Sequence, residues 1–231
     1  MRASITNRKV FQTCSKPKLL SLTFDDGPWI YENQISDYLK NRDILGTFFV
    51  NGNNYDCIYN PSIVDQLKHT FEQGHLIGSH TWSHPDITKL KDSEFNVELD
   101  RIETALKKIL GVVPRYFRAP YGNTDNRTLE ILAKRGYKVI DWSFDAGDAN
   151  GDPPEDSIKG YSTLSKSFPT SHITLNHETY ETTANKVIPY AIDVLQKSGY
   201  KLVSISECLG FQNTPNDFYQ FVGKPQERDV S

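Results

Sequence analysis

Leu19-Leu20-Ser21-Leu22-Thr23-Phe24-Asp25-Asp26-Gly27-Pro28 is the stretch that decides the fold. A short, mostly apolar run that stops at a Gly-Pro turn has the length and bounds of a buried strand. The two carboxylates arrive where that run ends, which is where an α/β enzyme exposes reactive side chains. A second group, His80-Thr81-Trp82-Ser83-His84, closes the run 75–80 in the same way. Two imidazoles and one of these carboxylates make an incomplete coordination shell that leaves room for a water, and the other carboxylate beside it could take that water's proton. Together the two groups read as a metal-assisted hydrolase.

Working outward, further strand-like runs fall at 46–50, 116–120, 138–144, 172–177 and 201–206. Between them lie helical faces. Ile35, Tyr38 and Leu39 share one, as do Val64, Leu67 and Phe71. The segment 92–110 is the clearest helix, with Asp92 as its expected cap, Phe95, Leu99, Ile102 and Leu106 along one side, and Gly111 as its stop. Leu129 and Leu132 mark another, and Val187 to Leu195 a further one despite Pro189.

Strand–helix alternation implies parallel strands with right-handed crossovers, hence a doubly wound sheet or a barrel. The polar residues decide between them. Asp25 and Asp26, His80, Arg118 to Tyr121, Asp145 and His177 each close or follow a different run. A barrel gathers those strand ends on one rim, whereas an open sheet scatters several of them. The expected architecture is therefore α/β, a distorted or incomplete (β/α) barrel of about seven parallel strands. Residues 18–210 form its single domain, 1–17 an N-terminal segment, and 211–231 a polar, loosely packed tail.

In such a barrel the first and last strands are neighbours. Cys14 and Cys208, which flank them, are then expected to bridge in an oxidising compartment, while the plainer reading leaves all three cysteines reduced. Net charge is −3 with both signs interspersed, which excludes a basic nucleic-acid or anionic-membrane surface and suits a neutral substrate. No apolar run approaches a membrane span, and the opening residues lack a signal-peptide core.

Thr23 to Pro28, His80 to His84, Arg118-Ala119-Pro120-Tyr121, the segment around Asp145, and Leu175-Asn176-His177 resemble, in order and spacing, the five motifs of the polysaccharide deacetylases (NodB homology domain, carbohydrate esterase family 4). Asn51 to Asn54, the run 206–210 and the flanking cysteines are similar to the fungal chitin deacetylase branch. The resemblance implies that Asp26, His80 and His84 hold a divalent metal, with zinc first and cobalt a workable substitute. It implies Asp25 as general base with Arg118 as its ion-pair partner, the backbone N–H of Tyr121 as an oxyanion donor, and His177 as general acid tuned by Asp145. Leu175 would wall the acetyl pocket. Asp148 is followed by Ala149, where family members often carry an aromatic.

Each group alone has a plainer reading: a turn for Asp25 to Pro28, polar loop residues for His80 and His84, a solvated carboxylate for Asp145, a satisfied histidine for His177. Independent accidents would not share one rim. Trp82, Tyr55 and Trp29 are candidates to stack on sugar rings, and Trp142 is expected in the core. The expected activity is removal of N-acetyl groups from an N-acetylglucosamine polymer, chitin or its oligomers first. The alternatives are acetylxylan O-deacetylation, peptidoglycan deacetylation, or carbohydrate binding on an inactive scaffold. A polysaccharide is the expected partner, with no nucleic acid, no membrane, and a monomeric enzyme secreted or held in the cell wall.

Overall fold

The computed structural model describes residues 9–226. The outer parts of the two expected terminal segments, 1–8 and 227–231, lie outside the described residues.

Among the described residues, nine strands form one parallel sheet. They are β1 (Val10–Phe11), β2 (Leu19–Asp25), β3 (Thr47–Val50), β4 (Leu76–Ser79), β6 (Tyr116–Phe117), β7 (Lys138–Ile140), β8 (Phe144–Asp145), β9 (His172–His177) and β10 (Lys201–Leu202), while β5 (Val112–Pro114) lies outside this sheet. The sheet runs β1-β7-β6-β4-β3-β2-β9-β8, with β10 paired to the start of β2. The chain passes directly from β7, next to one end of that order, to β8 at the other end through residues 141–143, with no ladder between β1 and β8. The result is a curled, incompletely closed barrel. The run at 138–144 is thus two strands: Asp141 N–H donates to Phe11 O and Ser143 N–H to Ile173 O, so the chain changes partner midway. Trp142 sits at that crossing, half-buried, where a core position was expected.

The helices cover the outer face of the sheet: α1 (Glu32–Lys40), α2 (Pro61–Glu72), α3 (Asp92–Leu110), α4 (Asn126–Lys134), α5 (Pro154–Leu164) and α6 (Ile188–Ser198). In α3 the predicted stripe Phe95, Leu99, Ile102 and Leu106 is fully buried, and Gly111 takes the left-handed conformation that ends it. Asp92 is the first helical residue, not the cap. The Lys91 N–H donates to the Glu94 carboxylate instead. Helix α5 escaped the periodicity reading because only Tyr161 and Leu164 among its apolar residues reach the core, and Ser157 is its other buried position.

Part of the described tail docks on the domain. After α7 (Ile205–Cys208), α8 (Pro215–Phe218) leads into β11 (Tyr219–Val222), which pairs antiparallel with β5. Phe218 and Tyr219 are buried, and the Tyr219 hydroxyl accepts from Ile77 N–H. Two buried aromatics were enough to dock a segment whose composition is otherwise polar. Cys14 and Cys208 form a disulfide with Cα atoms 4.5 Å apart, as the pairing of β10 with β2 requires, and Cys57 is free.

Candidate active site

Strand register brings the candidate residues together. Asp25 pairs across the ladder with Phe49 on one side and His177 on the other. The base and acid candidates therefore stand on adjacent strands at the same level. Ser79 pairs with Phe117, so the residues that follow them, His80 and Arg118, emerge side by side. Arg118 N–H donates to Ser79 O and His80 N–H to Val50 O, which ties both to the rim.

Past the strand ends the backbone turns sharply. Asp26, Thr81, His84 and Tyr121 all have positive φ, at 76°, 73°, 56° and 60°. For residues with a Cβ this is strained backbone, held because neighbours over-determine it. The 81–84 turn shows how. Thr81 Oγ1 accepts from His84 N–H, the buried Glu98 carboxylate accepts from the N–H groups of Trp82 and Ser83, and Asn51 donates to the carbonyls of His80 and Thr81.

That turn delivers Nε2 of His84 to 3.2 Å and Nε2 of His80 to 3.5 Å from the same oxygen, Asp26 Oδ1. His80 Nδ1 lies 2.8 Å from Arg118 O, a contact only an N–H can make, so its Nε2 lone pair faces Asp26. Asp26 Oδ1 is buried and has no hydrogen-bond partner. Burial lowers the basicity of both imidazoles and raises the Asp26 carboxyl, the latter opposed by the histidines. Neutral nitrogens aimed at an orphaned carboxylate oxygen are the donor set a divalent cation requires. Asp26, His80 and His84 fit a metal; they are the only such cluster among the described residues.

Asp25 is 3% exposed and Arg118 0%. Arg118 Nη1 donates to Asp25 Oδ1 at 2.8 Å, its other nitrogens reach Ile140 O and Asp141 O, and its guanidinium stacks on Phe49 at 4.5 Å. This fixes which way Asp25 points.

The partner of His177 is Asp148, not Asp145. Asp148 Oδ1 lies 2.8 Å from His177 Nδ1, and Oδ2 accepts from His177 N–H and from the Thr183 hydroxyl. Asp145 ends β8 with its side chain exposed, and its carboxylate turns back to accept Gly147 N–H at 2.8 Å. Gly147, at φ 72°, then swings the chain so that Asp148 faces His177. A strand-end argument picks Asp145; the Asp-Ala-Gly-Asp spelling, a carboxylate turn with a glycine inside, was the signal for the other. Burial opposes charge on His177, but the Asp148 hydrogen bond and charge, with Asp25 and Asp26 beyond, outweigh it and push the ring up to about 9. Asn51 and Glu98, which hold the turn, were also missed; Glu98 sits on α3 inside its apolar stripe, a misplaced charge that marks a buried acceptor.

Leu175 is buried two residues before His177 on the same face of β9. Tyr121 is 65% exposed with its ring edge-on to His84 at 4.7 Å. Tyr55 is exposed beside Trp29, with ring centres 5.6 Å apart. Trp82 is half-buried, next to Tyr59, and faces a shallow groove that includes Val97 and Arg101 on the α3 flank. Ala149 is exposed. No helix among the described residues is long and apolar enough to cross a membrane.

Comparison with known proteins agrees with this arrangement. A chitin deacetylase of Colletotrichum lindemuthianum is 35% identical over 212 residues, covering 90% of this chain and 85% of that protein. One from a Pestalotiopsis species is 32% identical over 210 residues, covering 90% and 70%. The solved structure of the chitin deacetylase from Colletotrichum lindemuthianum superposes with a TM-score of 0.87 at 33% identity, covering 97% of this chain and 99% of that one. Residues 12–140 match the pattern described as polysaccharide deacetylase. The incompletely closed parallel barrel and the convergent strand ends are thus shared with proteins of matching sequence, and the chain belongs to the polysaccharide deacetylase family.

Proposed function

We propose that this chain is a metal-dependent N-deacetylase that releases acetate from N-acetylglucosamine polymers, chitin or its oligomers first. The observation that carries the reading is the register of Asp25 with His177, which sets a carboxylate and an imidazole on adjacent strand ends beside the Asp26, His80 and His84 cluster. Amide hydrolysis needs a base for the attacking water and an acid for the departing amine, and these two groups are placed to share that work.

Asp25, oriented by Arg118, accepts the proton of the attacking water. His177, whose raised pKa keeps it protonated at neutral pH, gives a proton to the sugar nitrogen as the C–N bond breaks. The Tyr121 amide is the oxyanion donor of this reading, and Leu175 lines the side for the acetyl methyl. The products are acetate and a free amino sugar. Asp26, His80 and His84 would hold the cation, and two nitrogens with one oxygen suit zinc, with cobalt as substitute. A bound divalent ion supplies Lewis-acid polarisation of the acetyl carbonyl. Tyr55, Trp29 and Trp82 are proposed as stacking surfaces for further sugar rings. The Cys14–Cys208 bridge supports an oxidising compartment, hence a secreted or wall-held enzyme.

The test is acetate release by the zinc-loaded enzyme from chitin oligomers, acetylxylan and peptidoglycan fragments in parallel. The reading expects N-acetylglucosamine tetramers to exceed both the monomer and acetylxylan in kcat/KM. Acetylxylan better by about tenfold would move the substrate to O-acetyl esters, whose alkoxide leaves with less help from His177.

A further inference from the structure

Beneath the turn that carries Asp25 and Asp26 lie two carboxyls with no part in the chemistry above. Glu32 opens α1 and Glu178 follows His177; both are completely buried. None of their four oxygens accepts a hydrogen bond from a donor in the structure. The two groups nevertheless interact with each other, Glu32 also with the Thr70 hydroxyl of α2, and Glu178 with the Trp29 amide.

Glu178 is pressed against the turn. A Cβ placed on Gly27 would stand 1.2 Å from Glu178 Oε1, so the carboxyl occupies the space that glycine leaves. Glu178 N–H also donates to Asp25 O at 3.4 Å, and Glu32 N–H to Trp29 O at 3.0 Å. The main chain at both glutamates thus bonds to the backbone on either side of Gly27-Pro28, which brings their side chains to the turn. Two dry carboxylates in contact cannot both carry charge. Burial raises Glu32 to about 7 against the opposing contacts with Thr70 and Glu178, while burial and then the Glu32 charge raise Glu178 well above its ordinary value.

We infer that Glu32 and Glu178 form a hydrogen-bonded carboxyl pair, one neutral and one ionised, that holds the Asp25-Asp26-Gly27 turn in place, making both of them positioning residues for the deacetylation. A packed pair of this kind explains why Gly27 must lack a side chain and why Asp26 keeps its strained φ. The inference rests on the roles proposed for Asp25 and Asp26.

The pair predicts an unusual order of substitutions. Glu178→Gln keeps the length and supplies N–H donors to the remaining carboxylate, so it should stay within about threefold of the parent in kcat. Glu178→Asp keeps the charge but withdraws the group from Gly27, and should lower kcat about tenfold and weaken zinc by a similar factor, with KM within about twofold. Glu32→Gln should behave as Glu178→Gln. The measurement is acetate release from N-acetylglucosamine tetramer by zinc-loaded enzyme, with zinc affinity by chelator competition on the same samples and Asp25→Asn alongside. Glu178→Asp with parental kcat and zinc affinity, or a Gln variant as impaired as Glu178→Asp, overturns the inference. If that happens while Asp25→Asn is inactive, the pair alone is wrong; full activity in Asp25→Asn would instead remove the roles on which the pair depends.

Discussion

Replacing Asp148 by Asn separates the two candidate partners of the acid. Asp148 holds His177 by two contacts, at Nδ1 and at the backbone N–H, and with Asp25 and Asp26 it lifts the ring from 6.5 to about 9 against the opposing effect of burial. A ring that titrates near 9 is about 90% protonated at pH 8, and one returned to 6.5 only about 3%. Asp148→Asn should therefore reduce kcat up to about thirtyfold at pH 8 through protonation alone. The sign is fixed: the acid works only when protonated, so loss of the carboxylate moves the alkaline limb of the profile to lower pH. At pH 6 the penalty should shrink to whatever the loss of ring orientation costs. Asp145 accepts only a turn amide, an interaction that Asn also accepts, so Asp145→Asn should stay within about twofold across the range. The assay is acetate release from chitin tetramer by zinc-loaded enzyme between pH 6 and 10. An alkaline limb that moves in Asp145→Asn and stays in Asp148→Asn would refute the assignment.

Asp25→Asn keeps the shape of the base but cannot take a proton, and should cost about a hundredfold or more in kcat with zinc still bound, measured by turnover and metal content together. Asp26→Ala should instead lose zinc, as read by chelator competition. Arg118→Met strands the buried Asp25 charge and should destabilise the fold by about 3–5 kcal/mol in denaturant melts, more than any surface charge removal. Paired Cys14→Ser and Cys208→Ser substitutions open a loop of 194 residues, worth up to about 5 kcal/mol in the chain-entropy view, and should lower the melting temperature without altering kcat.

The barrel and the Asp26, His80 and His84 cluster were legible because their signals are local. Phe95, Leu99, Ile102 and Leu106 repeat at helical spacing, and Asp25, His80 and His177 each sit at the last residue of a strand or one residue beyond it. What the chain hid depends on backbone turns or on distant neighbours. The choice of Asp148 over Asp145 turns on the φ of Gly147. The split of run 138–144 follows from partners at Phe11 and Ile173, far away in sequence. Helix α5 carries too few apolar residues to show a period, and the tail docks through Phe218 and Tyr219 onto a strand more than a hundred residues earlier. Glu32 and Glu178 carry no local sequence signal, and only the fold buries both.

The central claim is that one metal held by Asp26, His80 and His84 is required for the release of acetate from an acetylated sugar polymer. The most direct test strips the protein with chelator, verifies that metal is absent and the fold intact, and titrates zinc back while following acetate from N-acetylglucosamine tetramer. The account predicts no turnover without metal, recovery that saturates at one zinc per chain, and an unchanged circular dichroism spectrum throughout. Full turnover by metal-free protein would contradict it.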